Sequence, residues 1–147
     1  MKVLAFNPDL CDGARGCEIA CAETWFHVAA PHKSSIRIQA LEDGFGAEFC
    51  IQCGACVPVC PVNALVQVKN GVVHLRKQSC VGCMACVGFC PYEVMHYDTD
   101  QAIAFKCVAC GQCVQACPTG ALAIIEADDV STDLWNGREW RHLQENI

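Results

Sequence analysis

Cys80-Val81-Gly82-Cys83-Met84-Ala85-Cys86-Val87-Gly88-Phe89-Cys90-Pro91 is the stretch from which the rest of the chain can be read. Cysteines stand at its first, fourth, seventh and eleventh places, and a proline follows the last. The same C-x2-C-x2-C-x3-C-P spacing recurs at Cys50, Cys53, Cys56, Cys60 and Pro61, and again at Cys107, Cys110, Cys113, Cys117 and Pro118. Cys11, Cys17 and Cys21 take the first, third and fourth places of one more frame, in which Ala14 occupies the second. Four frames therefore account for all 15 cysteines of the 147 residues.

Three chemistries compete for so many thiols. A disulfide framework suits a small secreted domain, but the count is odd, no secretory leader is expected at Met1-Lys2-Val3, and cysteines in serial runs pair badly. Structural zinc uses C-x2-C knuckles a dozen or more residues apart, unlike four evenly spaced cysteines ending in Cys-Pro. The spacing fits an iron–sulfur cluster. Three cysteines at i, i+3 and i+6 let one short loop wrap a cluster while its backbone N–H groups turn toward the sulfides. The fourth cysteine lies beyond the loop, where it serves the other cluster of a pair. The proline after it fixes φ and removes an N–H.

Composition narrows the setting. The 53% of hydrophobic residues falls to roughly 43% once cysteines are set aside, ordinary for a small globular chain, so cluster ligation is expected to supply much of the folding energy. A net charge of −6 argues against nucleic acid or an anionic membrane as direct partner. No apolar run reaches the length of a membrane span. Free cluster thiolates require a reducing compartment, so a cytoplasmic, low-oxygen location is expected.

The chain repeats a unit of motif followed by strand. Val62-Asn63-Ala64-Leu65, Tyr92-Glu93-Val94-Met95 and Thr119-Gly120-Ala121-Leu122 follow the three prolines, leading into strand-like Val66-Gln67-Val68 and Ala123-Ile124-Ile125. Asn70-Gly71 between Val66–Lys69 and Val72–Leu75 predicts a hairpin joining the second and third motifs. Residues 22–49 read as an insertion with a strand over Ile36–Leu41. In the acidic, then aromatic tail, Trp140, Leu143 and Ile147 share one face of a short helix, a candidate docking segment.

With these motifs the chain resembles the four-cluster, polyferredoxin-like beta subunits of molybdenum and tungsten pterin oxidoreductases, hydrogenases and carbon monoxide dehydrogenases, over roughly residues 1 to 125. The resemblance implies an α+β fold of two bacterial ferredoxin-like modules, one inserted in the other, made of small β-hairpins and short helices. Residues 1–21 with 101–125 would form the outer module, 22–49 the insertion, 50–100 the inner module and 126–147 the tail. Carried over by position, one cluster falls to Cys50, Cys53, Cys56 and Cys90, a second to Cys80, Cys83, Cys86 and Cys60, and a third to Cys107, Cys110, Cys113 and Cys21.

The last site keeps only Cys11, Cys17 and Cys117, because Ala14 cannot ligate iron. A three-iron cluster, a four-iron cluster completed by water or Asp12, and an unfilled vestige are the alternatives; three [4Fe-4S] clusters plus a [3Fe-4S] cluster is the expectation. His27, His32, His74, His96 and His142 are scattered, and Gly44-Phe45-Gly46 lacks the strand, helix and third glycine of a nucleotide fingerprint. The chain is therefore expected not to be catalytic alone. It would relay single electrons between a catalytic subunit carrying a tungsten or molybdenum pterin and an external redox partner. The small subunit of a tungsten aldehyde oxidoreductase-type or benzoyl-CoA reductase-type enzyme is the nearest resemblance. A free polyferredoxin, or the corresponding subunit of a hydrogenase or carbon monoxide dehydrogenase, is the alternative.

Overall fold

The computed structural model describes residues 1–42 and 44–127; the expected tail helix through Trp140, Leu143 and Ile147 lies outside them. Among the described residues, eight short strands and three α-helices, with one 3-10 turn at Pro31–Lys33, follow in the order β1 (Lys2–Phe6), α1 (Gly16–Phe26), β2 (Arg37–Leu41), β3 (Gly44–Glu48), β4 (Leu65–Gln67), β5 (Val73–Leu75), α2 (Ala85–Phe89), β6 (His96–Asp98), β7 (Ile103–Phe105), α3 (Gln112–Ala116) and β8 (Leu122–Glu126). The strands pair antiparallel two by two, β1 with β8, β2 with β3, β4 with β5 and β6 with β7.

The ends of the described chain clasp each other. Lys2 lies opposite Glu126 and Phe6 opposite Leu122, and bonds from Asn7 N to Ala121 O at 2.7 Å and Ala127 N to Met1 O at 2.9 Å extend the ladder. Val3, Leu4, Ala5 and Phe6 are each at most 1% exposed, so β1 is apolar on both faces. Ile36, Phe49 and Ile51 pack into the same core as Cys17, Cys21 and Cys113. The expected insertion thus helps to fill this core, and its strand pairs with one not expected from sequence, Gly44–Glu48.

The four frames share one backbone. Their third and fifth places have positive φ throughout: Gly13 76° and Arg15 59°, Gln52 62° and Gly54 79°, Gly82 72° and Met84 64°, Ala109 53° and Gly111 83°. Each loop spends one glycine and one side-chain-bearing residue on this alternation, the latter at a cost of roughly 1–2 kcal/mol. The fifth residue then caps a helix, as Arg15, Met84 and Gly111 do for α1, α2 and α3.

Proline explains the differences between frames. Pro58 has no N–H to give a helix, so residues 55–59 form turns closed by Val57 N to Gly54 O and Val59 N to Cys56 O, both 3.1 Å. Pro91 and Pro118 stop α2 and α3 just after one turn. Ala22 follows Cys21 instead, and α1 runs on to Phe26. It thereby crosses the expected boundary at 21/22, and the β6–β7 hairpin straddles the one at 100/101.

Candidate metal centre

The thiols of each loop differ in burial by their place in the frame. The third cysteine of every frame, Cys17, Cys56, Cys86 or Cys113, is buried; where a helix forms, it sits in the first turn. The second place faces outward: Cys83 and Cys110 are exposed, Cys53 is half-buried, and Ala14 is exposed like them. The residue that departs from the frame therefore stands at its solvent-facing corner.

Four cavities collect these side chains. One is lined by Cys50, Cys53, Cys56 and Cys90. A second is lined by Cys60, Cys80, Cys83 and Cys86. Cys21, Cys107, Cys110 and Cys113 line a third. The fourth has Cys11, Cys17 and Cys117 with Asp12 and Ala14. In each, cysteines of one loop meet a cysteine from a distant part of the chain.

The cavities are neighbours in turn. Cys56, Cys60, Cys86 and Cys90 belong to one packed cluster, joining the first two sites. Gln52 bridges from the first to the third, taking its own place next to Cys50 and donating Nε2 to the Cys107 carbonyl at 2.9 Å. Helices α1 and α3 pack together, bringing Cys17 into the electrostatic surroundings of Cys113 and so the fourth site beside the third.

Burial and backbone N–H groups oppose each other at the sulfurs. Burial raises the Cys17 thiol to about 12, aided by the adjoining Glu18 charge, and raises Cys56 to about 11 and Cys107 to about 12. Burial also raises Cys50, Cys86 and Cys113, with Lys106 opposing it at Cys50. At Cys60 burial acts upward, but the N–H groups of Val62, Ala64, Leu65 and Asn63, which curl around the sulfur after the Cys-Pro turn, together lower it. Cys117 is lowered in the same way, against burial, by the Thr119 hydroxyl and the backbone of residues 119–121. Direct bonds reach Cys50 from Gln52 N, Cys21 from Ser35 N and Cys60 from Ala64 N, all at 3.3 Å, and Cys107 from Ala109 N at 3.4 Å.

This donor set fits iron–sulfur clusters. Among the described residues no three His, Cys, Asp or Glu side chains converge as ligands of one ion. A lone zinc needs its sulfurs within about 2.3 Å, whereas here they surround a space, offering one thiolate to each of several irons. Thiols that burial keeps protonated must release protons on binding metal, which couples cluster uptake to pH and to folding.

Several residues near the sites carried no signal in the spacing. Glu18, 3% exposed, accepts the Ile38 N–H at 2.7 Å and ties β2 to the loop of the incomplete frame. Asp12 accepts from Ala14 N at 3.1 Å, so this carboxylate is held by its own turn. Lys106 and Gln52 form a buried bridge between two sites; glutamine in place of glycine at a left-handed position was the only sequence cue. An open hollow lined by Trp25, Phe26, His74, Lys77 and Phe105 contains no thiol.

The comparisons agree with this chemistry. Residues 49–94 and residues 79–122 each match a 4Fe-4S dicluster domain, sharing the motif at Cys80–Cys90. No curated protein matches the chain significantly. Among solved structures, a chain of the active site complex BamBC of benzoyl coenzyme A reductase in complex with benzoyl-CoA is similar at 19% identity and TM-score 0.49, over 99% of this chain and 89% of that one. The same complex with zinc gives 18% identity and TM-score 0.48, over 99% and 88%. No helix among the described residues is long and apolar enough to cross a membrane. Residues 49–122 are matched as 4Fe-4S dicluster sequence, which supports iron–sulfur, ferredoxin-like electron transfer for this chain.

Proposed function

We propose that this chain is the electron-transfer subunit of an oxidoreductase complex, relaying single electrons between a catalytic partner with a tungsten or molybdenum pterin and an external redox partner. The observation that carries the reading is the succession of four adjacent cysteine-lined cavities. Clusters held there supply one-electron redox centres. The chain's own part is to hold them and tune them. Cys50, Cys53, Cys56 and Cys90 take one, Cys80, Cys83, Cys86 and Cys60 a second, and Cys107, Cys110, Cys113 and Cys21 a third. Backbone N–H groups aimed at the sulfurs favour the ionised thiolates, and packing around the third cysteine of each loop keeps water out.

Cys11, Cys17 and Cys117 hold the fourth group, a three-iron cluster. The same alternation of positive φ in this loop as in the complete ones supports an occupied site. The β1–β8 pairing and the α1–α3 contact support an outer module made from both ends of the chain, enclosing an inner one over 50–100. Substrate chemistry belongs to the partner, and residues 126–147 dock on it. A pull-down with a chain shortened at residue 129 tests that docking: full retention of the partner would exclude it.

Anaerobic purification through a tag on this chain, followed by metal analysis, tests the function. Stoichiometric tungsten or molybdenum is expected. Nickel would replace the pterin partner with a hydrogenase or carbon monoxide dehydrogenase, and a chain recovered alone with iron only would refute the subunit reading in favour of a free shuttle.

A further inference from the structure

Lys106 is 6% exposed and sits between β7 and Cys107, in the wall of the cavity of Cys50, Cys53, Cys56 and Cys90. Its Nζ donates to Gln52 Oε1 at 2.9 Å and to the Cys107 carbonyl at 2.8 Å. Both acceptors are neutral, and among the described residues no carboxylate forms an ion pair with it. Gln52, itself fully buried, is fixed at every polar atom. Its Nε2 reaches the Cys107 carbonyl at 2.9 Å, its Oε1 also accepts from Val73 N at 3.0 Å, its carbonyl accepts from Gln67 Nε2 at 3.2 Å, and its N–H donates to Cys50 Sγ at 3.3 Å.

A buried ammonium without a counter-charge is costly. What faces it here is a set of thiolates that becomes more negative when a cluster they hold is reduced. A nearby positive charge stabilises that reduced state, and net charge is one of the levers that set cluster potentials. Coulomb attraction weakens with distance and with exposure to water, so the effect falls on this site, whose cavity wall Lys106 forms, and reaches the third site only through Cys107 beside it. Arg15, at the wall of the incomplete site, has a side chain 48% exposed and is screened by comparison.

We propose that Lys106 is a fixed internal cation that raises the reduction potential of the cluster held by Cys50, Cys53, Cys56 and Cys90. It is a positioning and tuning residue, held on the cavity wall by Gln52. The proposal rests on the ligand assignment given above.

The test is an anaerobic redox titration of the full chain followed by electron paramagnetic resonance, with iron counted in each sample. Cys90→Ser identifies the signal of the site. Lys106→Met removes the charge at similar length, Lys106→Gln keeps a hydrogen-bond donor without charge, and Lys106→Arg keeps the charge. Both neutral variants are expected to lower the midpoint of the signal that Cys90→Ser alters, by at least a tenfold change in the reduction equilibrium, about 59 mV for one electron. Iron content stays unchanged and Lys106→Arg restores most of the shift. An unmoved midpoint at full iron content overturns the proposal, as does a shift confined to another signal. Iron loss in both neutral variants would reassign Lys106 to holding the fold. If Cys90→Ser alters no signal, the ligand assignment itself fails, and the proposal with it.

Discussion

Ala14→Cys should complete the fourth site. The exchange adds one sulfur to a Cβ that already stands at the ligand place, because Gly13 at 76° and Arg15 at 59° give that loop the backbone of the frame around Cys83, where Gly82 is at 72° and Met84 at 64°. Ala14 is exposed, as are Cys83 and Cys110, so the new thiol meets no packing obstacle; without metal the change in stability stays within about 0.5 kcal/mol. The Asp12 carboxylate keeps its bond to the backbone N–H of residue 14, since that bond uses no side chain there. Iron should rise from about 15 to about 16 per chain as a three-iron cluster becomes a four-iron one. The assay is iron and acid-labile sulfide against protein concentration, with paramagnetic resonance of the oxidised sample, in which the three-iron signal of the wild type should vanish. Unchanged iron together with a persistent wild-type spectrum would refute the claim that this loop presents its second place to a cluster.

Other perturbations read different parts of the structure. Glu18→Ala strands the buried Ile38 N–H that the carboxylate accepts at 2.7 Å and should lower stability by ~1–3 kcal/mol, seen as a lower apparent melting temperature; Glu18→Gln, which keeps an acceptor, should recover much of it. Gly82→Ala drives a Cβ against the Ala102 carbonyl oxygen at a φ of 72°, so it should destabilise by more than ~1 kcal/mol. Gly88→Ala in α2, where a Cβ meets nothing within 4 Å, should stabilise by ~0.5–1 kcal/mol; equal melting temperatures for the two variants would contradict both statements. Burial, with the Arg37 charge, pulls His96 down to about 4. Because the unfolded histidine titrates near 6.5, the fold loses stability as pH falls from about 6.5 toward about 4 and is unaffected by this group above that window. Partial exposure limits the loss to ~2 kcal/mol, and His96→Phe should be less acid-sensitive than wild type in pH-dependent melts; an identical acid response would clear the histidine.

The cysteine frames were legible because the thiol spacing is itself the local geometry. The Asn70-Gly71 hairpin was legible for the same reason: Gly71 supplies φ 88° and the turn closes through Val68 N to Val72 O at 3.0 Å. Strand β1 was not. Buried on both faces, Lys2–Phe6 shows no alternation, and its partner β8 lies at the far end of the described chain, a pairing no local window contains. The β6–β7 hairpin turns through Ala102 at φ 54°, where the sequence offers neither glycine nor asparagine. Helix α1 was hidden inside a metal motif and runs on to Phe26 because Ala22 stands where the other frames have proline. At the sites, the thiols were readable but their modulators were not. Lys106 looks like a spacer before a motif, and only the return of the chain past Gln52 gives it a place.

Mössbauer spectroscopy of 57Fe-enriched protein, purified anaerobically and paired with an iron count, tests the central claim most directly. Four occupied sites predict about 15 irons per chain, distributed as four-iron clusters and one three-iron cluster in the ratio of about 12 to 3. About 12 irons, all in four-iron clusters, would contradict occupation at Cys11, Cys17 and Cys117. A count near 8 would contradict the row of adjacent sites on which the function proposed for this chain depends.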